Sequence, residues 1–158
     1  MKHNTFQKMR SADVRIAIVR ARFNEDITAA LLSGALEALA EAGIPQEKVQ
    51  VIEVPGSFEV PLAADRLFAA KAADAVVCLG ALIQGDTPHF EYISRAAASG
   101  IMQVGLRYGK PCIFGVITCF TREQAEERSG PGEMNRGREA AKVALEMLAA
   151  LGGLGTVG

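Results

Sequence analysis

Apolar residues along this chain alternate between short continuous runs and longer stretches with helical spacing. Four runs are rich in Val and Ile and lack polar alternation, so they predict strands that are covered on both faces. A stretch of amphipathic or charged helical pattern follows each of them. The predicted strands are 14–19, 49–54, 75–79 and 112–118, and the predicted helices are 27–42, 59–71, 89–108, 122–128 and 135–151.

Strands that alternate with helices are typical of a parallel sheet, because each crossover places a helix on a sheet face. The pattern therefore predicts an α/β fold, a three-layer αβα sandwich with four parallel strands in the order 2-1-3-4. Ligands of such sheets bind beyond the carboxyl ends of the strands where the strand order reverses, here between strands 1 and 3. A chain of 158 residues suits a single domain, with a core at about 14–151 and loose tails at 1–12 and 152–158.

The composition argues against nucleic acid and membranes as binding partners of this protein. Hydrophobic residues form 49% of the chain and the formal net charge is −1, so we expect a globular protein with no general attraction to nucleic acid or anionic membranes. No apolar run approaches the roughly 18 residues of a membrane span. The basic N-terminal segment lacks the apolar core of a signal peptide, which predicts a cytoplasmic location. Cys78, Cys112 and Cys119 are odd in number and widely spaced, which favours free buried thiols over a metal or redox site.

The most informative segment is 80–90, Gly-Ala-Leu-Ile-Gln-Gly-Asp-Thr-Pro-His-Phe, between the third predicted strand and a helix. Gly85 frees backbone N–H groups to face a ligand, while Thr87 can cap the helix and Pro88 suits its first position. A helix N-terminus in such a loop binds anions, phosphate above all. Gly85, Asp86 and Thr87 are therefore candidate phosphate-binding residues, provided that the Asp86 carboxylate points away. Simple helix capping is the alternative.

Two ionisable side chains are candidates for chemistry. His89 falls in the first helical turn, where an imidazole that titrates near neutrality can relay protons beside a bound anion. A surface or capping histidine is the alternative. Arg128 ends a charged helix and could clamp a phosphate because a guanidinium donates in a fork. The alternative is a solvated surface charge.

Other candidates follow the predicted strands. Phe23 and Phe114 are expected at or near strand carboxyl ends, where a flat heterocycle could pack against them, although both could be ordinary core residues. Ser57 and Glu59 follow the second strand and could hydrogen-bond a polyol. They could equally cap a helix and favour its positive end. The chain has no zinc, P-loop or Rossmann signature.

Together these motifs resemble the 6,7-dimethyl-8-ribityllumazine synthase family of riboflavin biosynthesis. The resemblance covers residues 14–150, and several motifs in order and at the proper spacing are far more specific than any one alone. They are Arg22-Phe23-Asn24, Pro55 to Pro61, Gly80 to Tyr92, Phe114 to Thr118, Glu127 to Gly130 and Asn135-Arg136-Gly137.

The resemblance implies a flavodoxin-like transferase that joins 5-amino-6-(D-ribitylamino)uracil to 3,4-dihydroxy-2-butanone 4-phosphate, with release of phosphate and water. It implies no metal and no cofactor, with His89 as the proton donor and Glu59 on the ribityl hydroxyls. Gly85, Asp86, Thr87 and Arg128 would hold the phosphate. The implied contacts to the uracil substrate are Phe23, Asn24, Ser57, Phe58, Glu59, Ala81, Leu82, Ile83 and Phe114.

The resemblance also implies a homo-oligomer of pentamers, twelve of which can close into a hollow icosahedral shell, and it suggests riboflavin synthase as a partner. Phe114 and Arg128 would come from one subunit and the remaining site from its neighbour. Gln84 departs from the family pattern because arginine or lysine commonly stands there. The segment 129–134 lacks a lysine that is often present, which leaves Arg136 as the nearest matching basic group.

Two other functions are compatible with the same pocket. A non-catalytic shell protein that binds flavin or lumazine would need Phe23 and Phe114 but not His89. A riboflavin synthase on the same fold would need no phosphate-binding arginine. The presence of Arg128 together with Gly85-Asp86-Thr87 counts against that second alternative.

Overall fold

Parallel strands and their crossover helices account for most of residues 13–152, which are the residues described by the structure, a computed structural model. The sheet has the order β2-β1-β3-β4, which confirms the predicted α/β fold and strand order. The strands are β1 (Ile16–Ala21), β2 (Val49–Val54), β3 (Ala75–Ile83) and β4 (Cys112–Cys119). The helices are α1 (Glu25–Glu41), α2 (Val60–Ala69), α3 (His89–Tyr108), α4 (Arg122–Ser129) and α5 (Arg136–Gly152).

Both faces of the sheet are covered, because successive side chains of a strand point to opposite faces. In β1, Ile18 points into the core formed with α1 and α5, whereas Val19 points into the core formed with α2 and α3. Gly137 lets α1 and α5 approach closely, since a Cβ at this position would lie 1.9 Å from the Leu31 carbonyl oxygen. The layers are those of the predicted three-layer sandwich.

β1 lies two residues further along the chain than predicted. Its ladders to both neighbouring strands begin at Ile16, so 14–15 precede the strand, and it continues through Arg20 to Ala21. Arg20 ended the apolar run in the sequence, yet it is only 6% exposed because its guanidinium forms an ion pair with Glu53 of β2. The hydrogen bond and charge of Arg20 hold the pKa of the Glu53 carboxyl below its usual value.

β3 is longer than predicted, which corrects the interpretation of 80–83 as loop. Its final residues pair with Val116 through Cys119, so the strand ends only at Ile83. α3 has the predicted bounds and α4 has the predicted start. The other helix ends shift by one or two residues, and Ser57–Glu59 forms a separate 3-10 turn before α2. The predicted tails lie outside the described residues, apart from Gly152, which ends α5. Among residues 13–152, no helix is long and apolar enough to cross a membrane.

Asn135 ties three segments together behind α4. Its side chain is almost fully buried, and Nδ2 donates to the carbonyl oxygens of Ala30, Ser129 and Gly130 at 3.1, 2.9 and 3.1 Å. Its Oδ1 accepts a hydrogen bond of 2.9 Å from the N–H of Arg138, in the first turn of α5. Asn135 therefore caps α5 and fixes the turn that follows α4.

We expect Asn135→Ala to lower the free energy of unfolding by about 3 kcal/mol, because it leaves several buried backbone groups without partners. Asn135→Asp should be no more stable, since its carboxylate would face three carbonyl oxygens. Urea unfolding measures both variants against Gln46→Ala, which removes an exposed amide. An Asn135→Ala protein as stable as that control would contradict the role assigned to this side chain.

Candidate active site

A cavity of about 580 Å³ lies at the carboxyl ends of β1, β2 and β3. Backbone hydrogen bonds that follow the β1–β2 ladder connect two segments of its rim. Arg22 N–H donates to the Val54 carbonyl oxygen at 2.8 Å, and Phe23 N–H donates to the Pro55 carbonyl oxygen at 3.0 Å. The position agrees with the expected ligand site at the reversal of strand order. We call this cavity the Phe23 pocket; it is lined by Phe23, Pro55, Gly56, Ser57, Phe58, Glu59, Leu82, Ile83, Gly85, Thr87, His89, Phe90 and Ile93.

Most of the predicted site residues meet in the Phe23 pocket. Phe90 and Ile93 were not predicted, because their places in an amphipathic helix gave no sign that they border a cavity. Pro55 and Gly56 belong to a motif of the sequence but had no assigned role. The predicted residues in the lining are Phe23, Ser57, Phe58, Glu59, Leu82, Ile83, Gly85, Thr87 and His89.

The aromatic and polar walls of the Phe23 pocket differ in exposure. Phe23 is 66% exposed, so the alternative of an ordinary core phenylalanine is wrong. Ser57 is buried and is not a helix cap, since Gly56 is the N-cap of the 3-10 turn and Glu59 that of α2. Its hydroxyl approaches β3 closely, since a Cβ at Gly80 would lie 2.4 Å from Ser57 Oγ. Gly80 thus serves close packing within a strand rather than a loop, while Glu59 is exposed at the start of α2.

The start of α3 differs from the prediction only in the place of Pro88. Its first residue is His89, which is exposed, and Pro88 flanks the helix instead of occupying its first position. The reason is that the Pro88 carbonyl accepts the first helical hydrogen bonds, from the N–H groups of Glu91 and Tyr92 at 3.0 and 3.3 Å. Thr87 still serves the helix end, since its Oγ1 accepts a hydrogen bond of 3.4 Å from His89 N–H.

The turn before α3 is open to a ligand. A Cβ built at Gly85 would meet no atom within 4 Å, and Asp86 and Thr87 are exposed beside it. A helix N-terminus with accessible backbone next to it suits an anion. His89 directly follows this open turn and lines the Phe23 pocket together with Gly85 and Thr87.

Asn24 and Ala81 lie next to the Phe23 pocket without lining it. Asn24 has a left-handed backbone, with φ 61° and ψ 54°, and directly precedes α1. Its Nδ2 donates a hydrogen bond of 2.8 Å to the carbonyl oxygen of Ala81, which is buried in β3. Nothing in the sequence pattern indicated this contact between residues far apart in the chain.

Phe114 and Arg128 lie in a second cavity, of about 530 Å³, that shares no lining residue with the Phe23 pocket. The expectation that Phe114 lies at a strand carboxyl end is wrong, because it is the third residue of β4 and pairs with Cys78. Cys119, at that end of β4, is five residues further on, a distance of about 16 Å along a strand. Phe114 is 45% exposed, so it is not a core residue either.

The second cavity, which we call the Phe114 cavity, contains two guanidinium groups. Arg128 is half-buried and donates a hydrogen bond of 3.1 Å to the Gln124 carbonyl oxygen, so it is not a freely solvated surface charge. Arg136 is paired with Glu139. The charge of the cavity suits an anion. It is lined by Cys112, Ile113, Phe114, Gly115, Val116, Ile117, Thr118, Arg128, Arg136, Glu139, Ala140 and Val143.

The three cysteines are free thiols, as predicted, although Cys112 is half-buried rather than buried. The sulfur atoms of Cys78 and Cys112 are 3.8 Å apart. Their hydrogen bond, together with burial, raises the pKa of the Cys78 thiol well above its usual value. Burial likewise raises the pKa of Cys119. Because a thiolate is the reactive form, neither of these two is suited to nucleophilic attack.

Comparison with known proteins identifies the family of the chain. The family model described as 6,7-dimethyl-8-ribityllumazine synthase matches residues 13–151. A protein of that name from Thermus thermophilus is 51% identical over 149 residues, which cover 94% of this chain and 95% of the relative. One from Protochlamydia amoebophila is 46% identical over 141 residues, or 89% of this chain and 82% of the relative. The chain belongs to the 6,7-dimethyl-8-ribityllumazine synthase family.

Proposed function

We propose that this protein condenses 5-amino-6-(D-ribitylamino)uracil with 3,4-dihydroxy-2-butanone 4-phosphate to give 6,7-dimethyl-8-ribityllumazine, phosphate and water. One juxtaposition carries the proposal: His89, the first residue of α3, lines the same cavity as Phe23 and the open turn at Gly85 and Thr87. A group that can carry protons thus shares one cavity with an aromatic ring and with a turn that suits an anion. Turnover of the two substrates by the purified protein tests it.

The uracil substrate is assigned to the Phe23 pocket. Phe23 presents an exposed ring on which a pyrimidine can stack. The Ser57 hydroxyl and the Glu59 carboxylate supply hydrogen-bonding groups for the ribityl chain, which carries several hydroxyls. At the end of β3, beyond its ladder to β1, the backbone of Ile83 offers groups to the polar edge of the ring.

The phosphate of the second substrate is assigned to the turn before α3. A helix of 20 residues carries a macrodipole equivalent to about half a positive charge at its N-terminus. Gly85, Asp86 and Thr87 would bind the phosphate there through the backbone and the Thr87 hydroxyl, with the Asp86 carboxylate turned away. Arg128 would complete the phosphate site with a guanidinium fork.

The reaction then needs positioning and proton transfer from the protein. The amine of the uracil substrate attacks the ketone of the other substrate, so the imine forms between the two substrates and no enzyme lysine is required. Water leaves on imine formation, phosphate leaves by elimination, and ring closure releases a further water. His89 is the proton donor for these steps, and the two binding sites hold the reacting atoms together.

The alternatives fit the site less well. A shell protein that only binds flavin or lumazine would use the Phe23 pocket, but it gives no reason for an imidazole and an anion site to meet there. A riboflavin synthase would join two lumazines and would need neither the open turn nor Arg128. A lumazine synthase, by contrast, uses His89, the open turn before α3 and Arg128.

We also propose that a second copy of the chain completes each site. Within one chain, Phe114 and Arg128 lie in a cavity separate from the Phe23 pocket. Two large side chains of α3, Met102 and Leu106, are 62% and 74% exposed, as expected of a surface that packs against another subunit. A pentamer is the assembly that we propose. Its closure into an icosahedral shell, its association with riboflavin synthase and its cytoplasmic location stay predictions.

A mixture of two impaired variants, assayed at a butanone phosphate concentration well below the KM of Arg128→Ala, should regain activity if the site is shared. His89→Asn chains retain Arg128, and Arg128→Ala chains retain His89, so some interfaces in a mixed ring would combine the two intact halves. When the two variants are mixed in equal amounts and assemble at random into a head-to-tail ring, about a quarter of the interfaces combine an intact His89 with an intact Arg128. The measurement is the specific activity after the two variants are unfolded and refolded together.

Refolding a mixture of His89→Asn and His89→Ala chains is the matched control, because no interface there has an intact His89. It should stay as inactive as either variant alone. Absence of recovery in the His89 and Arg128 mixture, when the wild-type protein refolds to full activity, would place the whole site within one chain.

A further inference from the structure

A third cavity, of about 490 Å³, lies between α3, the start of β4 and α5, and it shares no lining residue with the Phe23 pocket. Three of the side chains that line it carry sulfur, namely Met102, Cys112 and Met147. The Cys112 thiol is in turn close to a second thiol, because its Sγ atom lies 3.8 Å from that of Cys78. Two thiols and two thioethers are thus associated with this cavity, which we call the Cys112 cavity.

The register of β3 and β4 brings the two thiols together. Cys112 pairs with Val76 and Cys78 pairs with Phe114, so the two cysteines are diagonal neighbours in adjacent strands. Both side chains belong to the core between the sheet and the helices α2 and α3. Gly105 of α3 lets the helix approach them, since a Cβ at this position would lie 3.3 Å from the Cys112 Cβ. The sequence gave no sign of the pair because 34 positions separate its members.

A direct disulfide does not suit this diagonal arrangement. Adjacent strands lie about 4.8 Å apart and two residues advance about 6.6 Å along a strand, so diagonal Cα atoms are about 8 Å apart. Cysteines with Cα atoms more than about 7 Å apart cannot be bridged without movement of the backbone. The sulfur atoms of Cys78 and Cys112 nevertheless approach to 3.8 Å. The geometry therefore favours an atom shared by the two sulfurs over a bond between them.

The distance between the two sulfurs fits a single metal ion that is bound to both. With metal–sulfur bonds of about 2.3 Å, sulfur atoms 3.8 Å apart subtend an angle of about 110° at the ion. An angle so far from linear leaves space for a third ligand. Met102 and Met147 line the cavity onto which Cys112 opens, and a methionine side chain is flexible enough to adjust its sulfur to an ion.

The ligand types select the ion. Thiolate and thioether sulfurs together favour soft ions, Cu(I) above all. Structural zinc needs four ligands from Cys, His and carboxylate side chains. Within residues 13–152, no group of three or more His, Cys, Asp or Glu side chains could hold a metal ion, so the described part of the chain does not supply such a set.

We propose that Cys78 and Cys112 bind one Cu(I) ion through both sulfurs. The third ligand is a thioether of the cavity, from Met102 or Met147. Binding displaces both thiol protons, so one Cu⁺ and two thiols give a complex with one negative charge and two released protons. The half-buried Lys110 lines the same cavity, where its positive charge offsets that of the complex.

This ion would have no part in the condensation, so the inference does not rest on the proposed function. Met102 belongs to the surface that we assign to a second subunit, and the mouth of the Cys112 cavity therefore lies at that boundary. Both thiols come from a single chain, and a second copy supplies no ligand. The test is accordingly made on the protein in its assembled form.

Anaerobic titration of the reduced protein with Cu(I), in competition with bicinchoninate, measures the site. We expect one ion per chain and the ultraviolet charge-transfer absorption of copper–thiolate bonds. Cys112→Ser should lower the Cu(I) affinity more than about a hundredfold, because even the partners of metal ligands contribute ten- to a hundredfold. Cys78→Ala should give the same loss. Met102→Leu combined with Met147→Leu should lower the affinity about tenfold and retain the thiolate absorption.

Cys119→Ser is the matched control, because it also removes one of the three thiols. Cys119 lies at the other end of β4 and does not line the Cys112 cavity, so the stoichiometry and the affinity should stay unchanged. A wild-type protein that takes no Cu(I) from bicinchoninate would overturn the proposal, and so would wild-type affinity in Cys112→Ser or Cys78→Ala. Unchanged affinity in the double methionine variant would remove the thioether from the site.

Discussion

Replacing His89 with Asn should lower kcat about a hundredfold, which is the lower end of what a positioned general acid or base contributes. Asparagine keeps hydrogen-bonding capacity at the start of α3 but carries no exchangeable proton of suitable acidity. The KM values of both substrates should change little, because the ring and the anion are assigned to other residues. Steady-state kinetics with each substrate varied in turn separates the effect on kcat from the effects on the two KM values.

The other histidine of the chain supplies the control for this prediction. His3→Asn makes the same chemical change outside the described residues and should leave kcat at the wild-type value. Pentamer formation, followed by sedimentation, should be equal in both variants. A His89→Asn protein with kcat within about twofold of wild type would remove His89 from the mechanism.

Arg128→Ala should raise the KM for the butanone phosphate by about ten- to a hundredfold, since hydrogen bonds to charged groups contribute about 1.5–3 kcal/mol. The KM for the uracil substrate should change far less. Arg128→Lys should fall between the alanine variant and the wild type, because lysine keeps the charge but loses the two-pronged geometry. Gln84 adds no positive charge to the turn before α3, so Arg128 is the more important here.

Arg122→Ala is the matched control for Arg128. Arg122 lies on the same helix, but its guanidinium pairs with Asp26 and Glu126 and it does not line the Phe114 cavity. Its removal should leave both KM values at the wild-type level. Equal increases in both KM values for Arg128→Ala would contradict a phosphate-specific role.

The fold could be predicted because parallel strands that are covered on both faces leave continuous apolar runs. The errors arose where a partner far along the chain decides the outcome. Arg20 interrupts the apolar run of β1, but Glu53 on the neighbouring strand lets it be buried. Gly80 was read as loop because glycine is rare in strands, yet it lies in β3 so that Ser57 can approach.

The site could be predicted in part for a similar reason. Residues that follow the strands along one sheet edge must converge, so Phe23, Ser57 and His89 were found. Phe114 was misplaced even though β4 starts at the predicted residue, because the third residue of a strand lies near its amino end, away from the sheet edge where the Phe23 pocket forms. The hydrogen bond between Asn24 and Ala81 could not be predicted. A left-handed backbone at one residue and a contact from the end of β1 to β3 leave no periodic pattern in the sequence.

The most direct test of the proposed activity is to mix the purified protein with both substrates and follow lumazine absorbance and inorganic phosphate together. The account predicts that both products appear at the same rate and in equal amounts, and that omission of either substrate abolishes both. Lumazine or riboflavin that binds to the protein without any phosphate release from the complete mixture would contradict it. That result would favour a shell protein that binds these ligands without catalysis.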